Sequence, residues 1–145
     1  MANIVPDSFK EELFEAIHDF TASTGDTFKL ALYNTVSGFA AATTTVYNAT
    51  IGSSVEVTGT GYTATGATLV NISPTVAENI AFVDFDDVTF STATITASCA
   101  LIYNTTNSNK AVVVLDFGGD KTSTNGDFTI QFPAANSTSA ILRIS

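Results

Sequence analysis

At 145 residues, 45% of them hydrophobic, the chain has enough apolar surface to close a core without disulfides or metal, and too much for a disordered segment. Five basic residues against fourteen acidic ones leave a net charge of −9. That balance disfavours nucleic acids and anionic membranes, which are both held through Lys and Arg. Charged residues make up only 13%, about half the ~25% of ordinary soluble domains. Thr, Ser, Asn and Gly take their place, a composition suited to strands with hydroxyl-bearing faces joined by turns.

Residues 1–6 read as a short arm without the basic-then-apolar pattern of a secretory leader. Ser8 and Glu11 then fit a capping box, with Pro6 blocking backward extension, and predict a helix over 8–20. Its apolar stripe is Phe9, Leu13, Ala16, Ile17 and Phe20, and His18 falls on the polar, solvated side beside Glu15 and Asp19. From Phe28 the period changes to two, which predicts a half-buried strand over 28–33. Residues 34–53 read as a long loop rich in Thr and Ala. Strands are expected at 54–58, 68–72, 80–85, 88–90, 93–103, 111–117, 128–132 and 140–144, with Gly59-Thr60-Gly61, Ser73-Pro74, Gly118-Gly119, Asn125-Gly126 and Pro133 between them. The best hairpin joins 93–103 to 111–117. Many short strands at this spacing predict a mainly β, antiparallel domain over 1–145, sandwich-like, jelly-roll-like or barrel-like, with one N-terminal helix.

Charge is unevenly spread. Glu56 is the lone charged residue between Lys29 and Glu78, and residues 88–109 carry none. Free-standing sheets guard their edges with charge. A chain that omits it either closes its sheet or has its edges covered by neighbouring protein, and the second reading points to an oligomer or assembly subunit.

No constellation predicts catalysis, a cofactor or a metal. Asp84-Phe85-Asp86-Asp87 is the best cation candidate, but it lacks the glycine and closing glutamate of a calcium loop and reads as a solvated turn. Asp116-Phe117-Gly118 matches a kinase triplet without the rest of a kinase. Gly59-Thr60-Gly61 with Gly66 leads into a strand rather than a helix, which favours a hairpin or bulge over a phosphate cradle. Cys99 reads as a small buried hydrophobe. Tyr33, Tyr47, Tyr62 and Tyr103 are the aromatics that could stack on sugars from the surface. The four Asn-x-Ser/Thr sequons, at Asn48, Asn71, Asn104 and Asn136, are expected by chance in so Thr- and Ser-rich a chain.

Several stretches together resemble a known group. They are Ala2-Asn3-Ile4-Val5 with Ser8-Phe9-Lys10, residues 57–64, Ala67-Thr68-Leu69, Ala100-Leu101-Ile102-Tyr103-Asn104, residues 111–119 and Ala140-Ile141-Leu142-Arg143-Ile144. As an ordered set they resemble small virion structural proteins of marine and cyanobacterial tailed bacteriophages. The resemblance implies a small β-rich virion part, either a capsid decoration (cement) protein or a tail or fibre part; of these we expect a decoration protein, assembled in the bacterial cytoplasm and bound to the outer shell. There, as a homotrimer, it would bridge subunits of the major capsid protein. The expected contacts are the arm residues Ala2, Asn3, Ile4, Val5 and Pro6 and the uncharged strand edges. The alternatives are a tail, fibre or neck component and, from another class, a carbohydrate-binding module.

Overall fold

A computed structural model describes residues 3–145. The protein is mainly β and antiparallel, as the alternating pattern predicts, with one short helix. Among the described residues no sheet closes into a barrel.

Helix α1 spans Asp7–Phe14, shorter than the 8–20 expected. Pro6 occupies the N-cap position and no side chain caps the first turn. The N-cap falls at Pro6, two residues ahead of Ser8, so the capping box does not form, and Ser8 Oγ is buried without a partner. At the far end Ala16 adopts a left-handed conformation (φ 58°). The Ile17 N–H donates to the Glu12 carbonyl and the Ala16 N–H to the Leu13 carbonyl, which closes the helix in a Schellman turn. Tertiary packing sets this stop. The turn swings the chain back so that His18 and Phe20 enter the core, the His18 ring 5.0 Å from that of Phe9.

The main sheet has strand order β4-β1-β7-β8, with β1 at Phe28–Tyr33, β4 at Ala67–Thr68, β7 at Val88–Asn104 and β8 at Lys110–Ile130. β1 is buried on both faces rather than half-buried. Phe28, Leu30 and Leu32 face the larger core, while Ala31 and Tyr33 face a second cluster with Cys99, Leu101 and Tyr103. The 34–53 stretch is the reason. It wraps over the sheet, where Val36, Phe39, Tyr47 and Ile51 cover the second cluster. Its regular structure is a small hairpin, β2 (Thr50–Ile51) with β3 (Ser54–Val55).

The hairpin expected from 93–103 and 111–117 forms and runs much further. The predicted strand at 88–90 merges into β7, and that at 128–132 into β8. Gly118 (φ 79°) and Gly119 (φ 134°) do not end the strand; they supply a bulge opposite Ser98 that only glycine accommodates readily. Beyond it, Thr89 pairs with Thr129 (2.9 Å) and Thr96 with Thr122 (2.8 Å) through their hydroxyls on the exposed face.

A three-stranded sheet, order β5-β6-β9, joins β5 (Asn71–Ala77), β6 (Ile80–Phe85) and β9 (Leu142–Ile144). Its hairpin turn is Glu78-Asn79, both left-handed (φ 52° and 64°), the twist that two-residue hairpins require. Pro74 sits on the edge strand at a register shift, where no ladder donor is needed. The larger core lies between this sheet, α1 and the main sheet, around stacked Phe20 and Phe28 rings 4.5 Å apart, with Phe85 beside them. Among the described residues no helix is long and apolar enough to cross a membrane.

Candidate functional site

Within the described part of the arm, Asn3 and Ile4 are bonded to the sheet. Ile4 pairs with Val114 by backbone hydrogen bonds in both directions (2.9 and 2.8 Å), and the Asn3 side chain accepts from the Asp116 N–H. Val5 packs on the larger core, Ile4 on the second cluster, and Pro6 is buried. The segment seals part of the β8 edge of its own chain, so Ile4, Val5 and Pro6 are committed internally. Ala2 lies outside the described residues.

The four tyrosines are not surface platforms. Tyr33 and Tyr103 are buried, and Tyr47 and Tyr62 are half-buried. They surround Glu56, which is 7% exposed. The hydroxyls of Tyr47 and Tyr62 each donate to one Glu56 oxygen at 2.6 Å, and the Thr65 N–H donates to the oxygen shared with Tyr62 at 2.7 Å. Tyr62 also accepts from the Leu32 N–H of β1 (3.0 Å), while Tyr33 donates to the Asn48 carbonyl and Tyr103 to the Thr65 carbonyl. The turn carrying Tyr62 and Thr65 lies hard against β1: a β-carbon on Gly66 (φ 76°) would overlap the Leu30 carbonyl. The glycine-rich segment is therefore a turn pressed on the sheet, and its job is close approach.

Burial, and after it the nearby Glu56 charge, raise the ionisation of Tyr33 above that of an ordinary phenol. Burial and the hydrogen bond to Glu56 do the same for Tyr47 and Tyr62, and burial pushes Tyr103 up to about 12. A folded state that holds these protons more tightly than the unfolded chain loses stability as pH rises, from roughly pH 10, the ordinary phenol value, upward. In an alkaline titration we expect phenolate absorbance to appear together with loss of the circular dichroism signal. Ionisation of even two tyrosines in the intact fold would contradict the arrangement.

A second polar cluster ties α1 to the β7–β8 loop. His18 is not solvated: its side chain has no exposed surface. Asn104 Oδ1 accepts from the N–H groups of Thr106 and Asn107, which fixes its amide so that Nδ2 donates to His18 Nδ1 (3.0 Å) and to Asp26 Oδ2 (2.7 Å). His18 Nδ1 is thus an acceptor, and the ring proton sits on Nε2, donated to Glu12 at 2.7 Å. The other Glu12 oxygen accepts from Lys110 at 2.8 Å. Asp26 Oδ2 also accepts from Asn107 Nδ2 and the Asp19 N–H. Both ring nitrogens of His18 are spent on these partners, so neither stands ready to take a proton from a serine hydroxyl. Cys99 is buried, donates to the Thr35 carbonyl, and burial raises its thiol to about 12.

The acidic run does not converge. Asp84 is buried, with one oxygen accepting from the Phe85 N–H and Oδ2 unpartnered, whereas Asp86 and Asp87 are exposed and Asp87 accepts from the Phe132 N–H. Among the described residues no group of three or more His, Cys, Asp or Glu side chains is set to hold a metal ion. Burial holds the Asp84 carboxyl above its ordinary value. The folded protein therefore takes up this proton at a higher pH than the unfolded chain, and the charged form weakens the fold as pH rises through that raised value. Asp84→Asn is expected to gain about 1 kcal/mol at neutral pH, roughly 4 °C in unfolding midpoint for a chain of this size. The advantage fades in acid. A midpoint unchanged or lowered at neutral pH would count against a charge cost here.

No protein-family model, curated protein or solved structure matches the chain.

Proposed function

We propose that this is a virion structural protein of a tailed bacteriophage, acting as a capsid decoration protein that binds the outer shell and bridges subunits of the major capsid protein. The observation that carries the reading is the surface of the long hairpin. β7 has no charged residue from Val88 to Asn104, its exposed positions are Thr and Ser, and its partner β8 is an edge strand beyond the arm. The exposed strip of β7 is thus hydroxyl-lined and brings no charge of its own against a protein neighbour, the exposed charge of the hairpin being carried by β8 at Asp120, Lys121 and Asp127. Exposed Phe14, Val70, Val76 and Ile144 add apolar surface of the kind that marks protein contacts. Many weak contacts of this kind, repeated over a shell, act together. With Ile4 paired to β8 of its own sheet, the contact surface in this reading is the β7 strip of the hairpin together with these exposed apolar side chains. With Tyr33 and Tyr103 buried and Tyr47 and Tyr62 half-buried, little aromatic surface supports the carbohydrate-binding alternative.

The test is position and copy number on purified particles. Hundreds of copies spread over the head support decoration, and about a dozen at one vertex would replace it with the tail or neck role. Particles lacking the protein would end both.

A further inference from the structure

The far half of the long hairpin carries a second bulge. Ala93 pairs with Gly126 and Ile95 with Ser123, so Thr124 and Asn125 together oppose the single residue Thr94. Asn125 is exposed and left-handed (φ 49°), and its N–H donates to Thr94 Oγ1 at 3.0 Å. It is the chain's one asparagine followed by glycine; every other asparagine precedes a residue with a side chain. The fold does not itself require that glycine. A β-carbon on Gly126 would meet nothing nearer than the Thr124 carbonyl oxygen at 3.7 Å, whereas one on Gly59, Gly61 or Gly66 would overlap backbone atoms. Nor is Gly126 left-handed, as those three are.

We propose that Asn125 is a site of self-modification, its side chain closing on the Gly126 backbone nitrogen to a succinimide that water then opens. A bond forms between the Gly126 nitrogen and Asn125 Cγ as the Cγ–Nδ2 bond breaks. The proton given up by the Gly126 nitrogen leaves with Nδ2 as ammonia. Water next cleaves one of the two C–N bonds of the ring. Cleavage at Cγ leaves an ordinary aspartate at position 125, and cleavage at the main-chain carbonyl routes the backbone through Cβ and Cγ as isoaspartate. Nothing is oxidised or reduced. Without a side chain at 126 the nitrogen approaches Cγ unhindered, and exposure admits water and releases ammonia. The bulge frees Asn125 from one-to-one pairing, and Thr94 Oγ1, 3.5 Å from Oδ1, is placed to steady the charge that grows on that oxygen. Either product adds a negative charge two residues from the exposed Asp127, opposite the uncharged β7. The proposal does not rest on the virion reading.

Incubation of the folded chain in mildly alkaline buffer, which helps deprotonate the attacking nitrogen, tests it. Peptide mass spectrometry with fragmentation that separates the two aspartyl linkages follows each asparagine over time. Asn125 should convert before any other asparagine, with isoaspartate among the products and a native circular dichroism spectrum at the outset. Gly126→Ala, which the open space admits without disturbing the fold, should slow conversion about tenfold or more. A free peptide of residues 120–130 supplies the rate of the sequence without the fold. If Asn125 stays intact in the folded chain after the peptide has converted, the strand holds the nitrogen away and the proposal is overturned. Equal rates in wild type and Gly126→Ala overturn it as well, and so does prior conversion of another asparagine.

Discussion

Glu56→Ala should be the most damaging single substitution in the molecule, lowering stability by about 3–4 kcal/mol and the unfolding midpoint by more than 10 °C or so. The carboxylate gathers three donors: the Tyr47 and Tyr62 hydroxyls and the Thr65 N–H. Truncation leaves all three facing a space closed to water on the sheet side, at roughly 1–3 kcal/mol for each donor that stays dry. Tyr47 and Tyr62 are only half-buried, so some water reaches them, which holds the total below the sum of three full penalties. Glu56→Gln should cost about half as much, because the amide still accepts at one atom while its NH₂ forces one tyrosine to become the acceptor. Tyr62→Phe should cost more than Tyr47→Phe, since Tyr62 also receives the Leu32 N–H. Chemical denaturation of the four variants checks the order. If Glu56→Ala proved no worse than Tyr47→Phe, the cluster would not be a unit.

Asn104→Ala is the second large effect, a loss of about 3 kcal/mol. Asn104 is completely buried and makes four hydrogen bonds, two accepted from the loop backbone and two donated to His18 and Asp26. Asn104→Asp tests the donor role. It keeps both backbone bonds but sets an oxygen against Asp26 Oδ2 and against the unprotonated nitrogen of His18. Both new contacts are relieved by taking up a proton. The folded variant binds more protons than its unfolded chain, so its stability falls as pH rises and recovers in acid. At neutral pH it should be less stable than the alanine variant, and at acidic pH the order should reverse. Thermal melts of both variants across pH decide this, and parallel curves would show that the amide orientation is wrong.

The strand-rich character and the central hairpin were legible because period-two alternation is local. The helix end was not. Every residue from Glu15 to Phe20 suits a helix on its own, and only the burial of His18 and Phe20, with the His18–Glu12–Asn104 bonds, explains the turn at Ala16. Burial of β1 on both faces was hidden likewise, since it depends on a loop later in the chain. Gly118-Gly119 shows the reverse error. Glycines can end a strand or bulge it, and pairing with β7 decides which. For the Glu56 cluster a signal was present: one carboxylate in a long uncharged stretch beside three of the four tyrosines. Read as a surface of exposed aromatics, that stretch misleads; read as a buried acid in search of donors, it gives the cluster.

The order of strands in the main sheet also governs how the molecule comes to be. β1 pairs along its whole length with β7, Phe28 opposite Asn104 and Tyr33 opposite Cys99, and Ile4 waits for Val114. Everything between is made before the first of those pairs can close. During synthesis the apolar β1 can therefore pair early only with the two-residue β4 and with Glu56, and the central sheet assembles once β7 and β8 have emerged. Such high contact order places refolding in the range of milliseconds to seconds. Over that interval the exposed strand is open to chaperones, or to the β1 of another nascent copy.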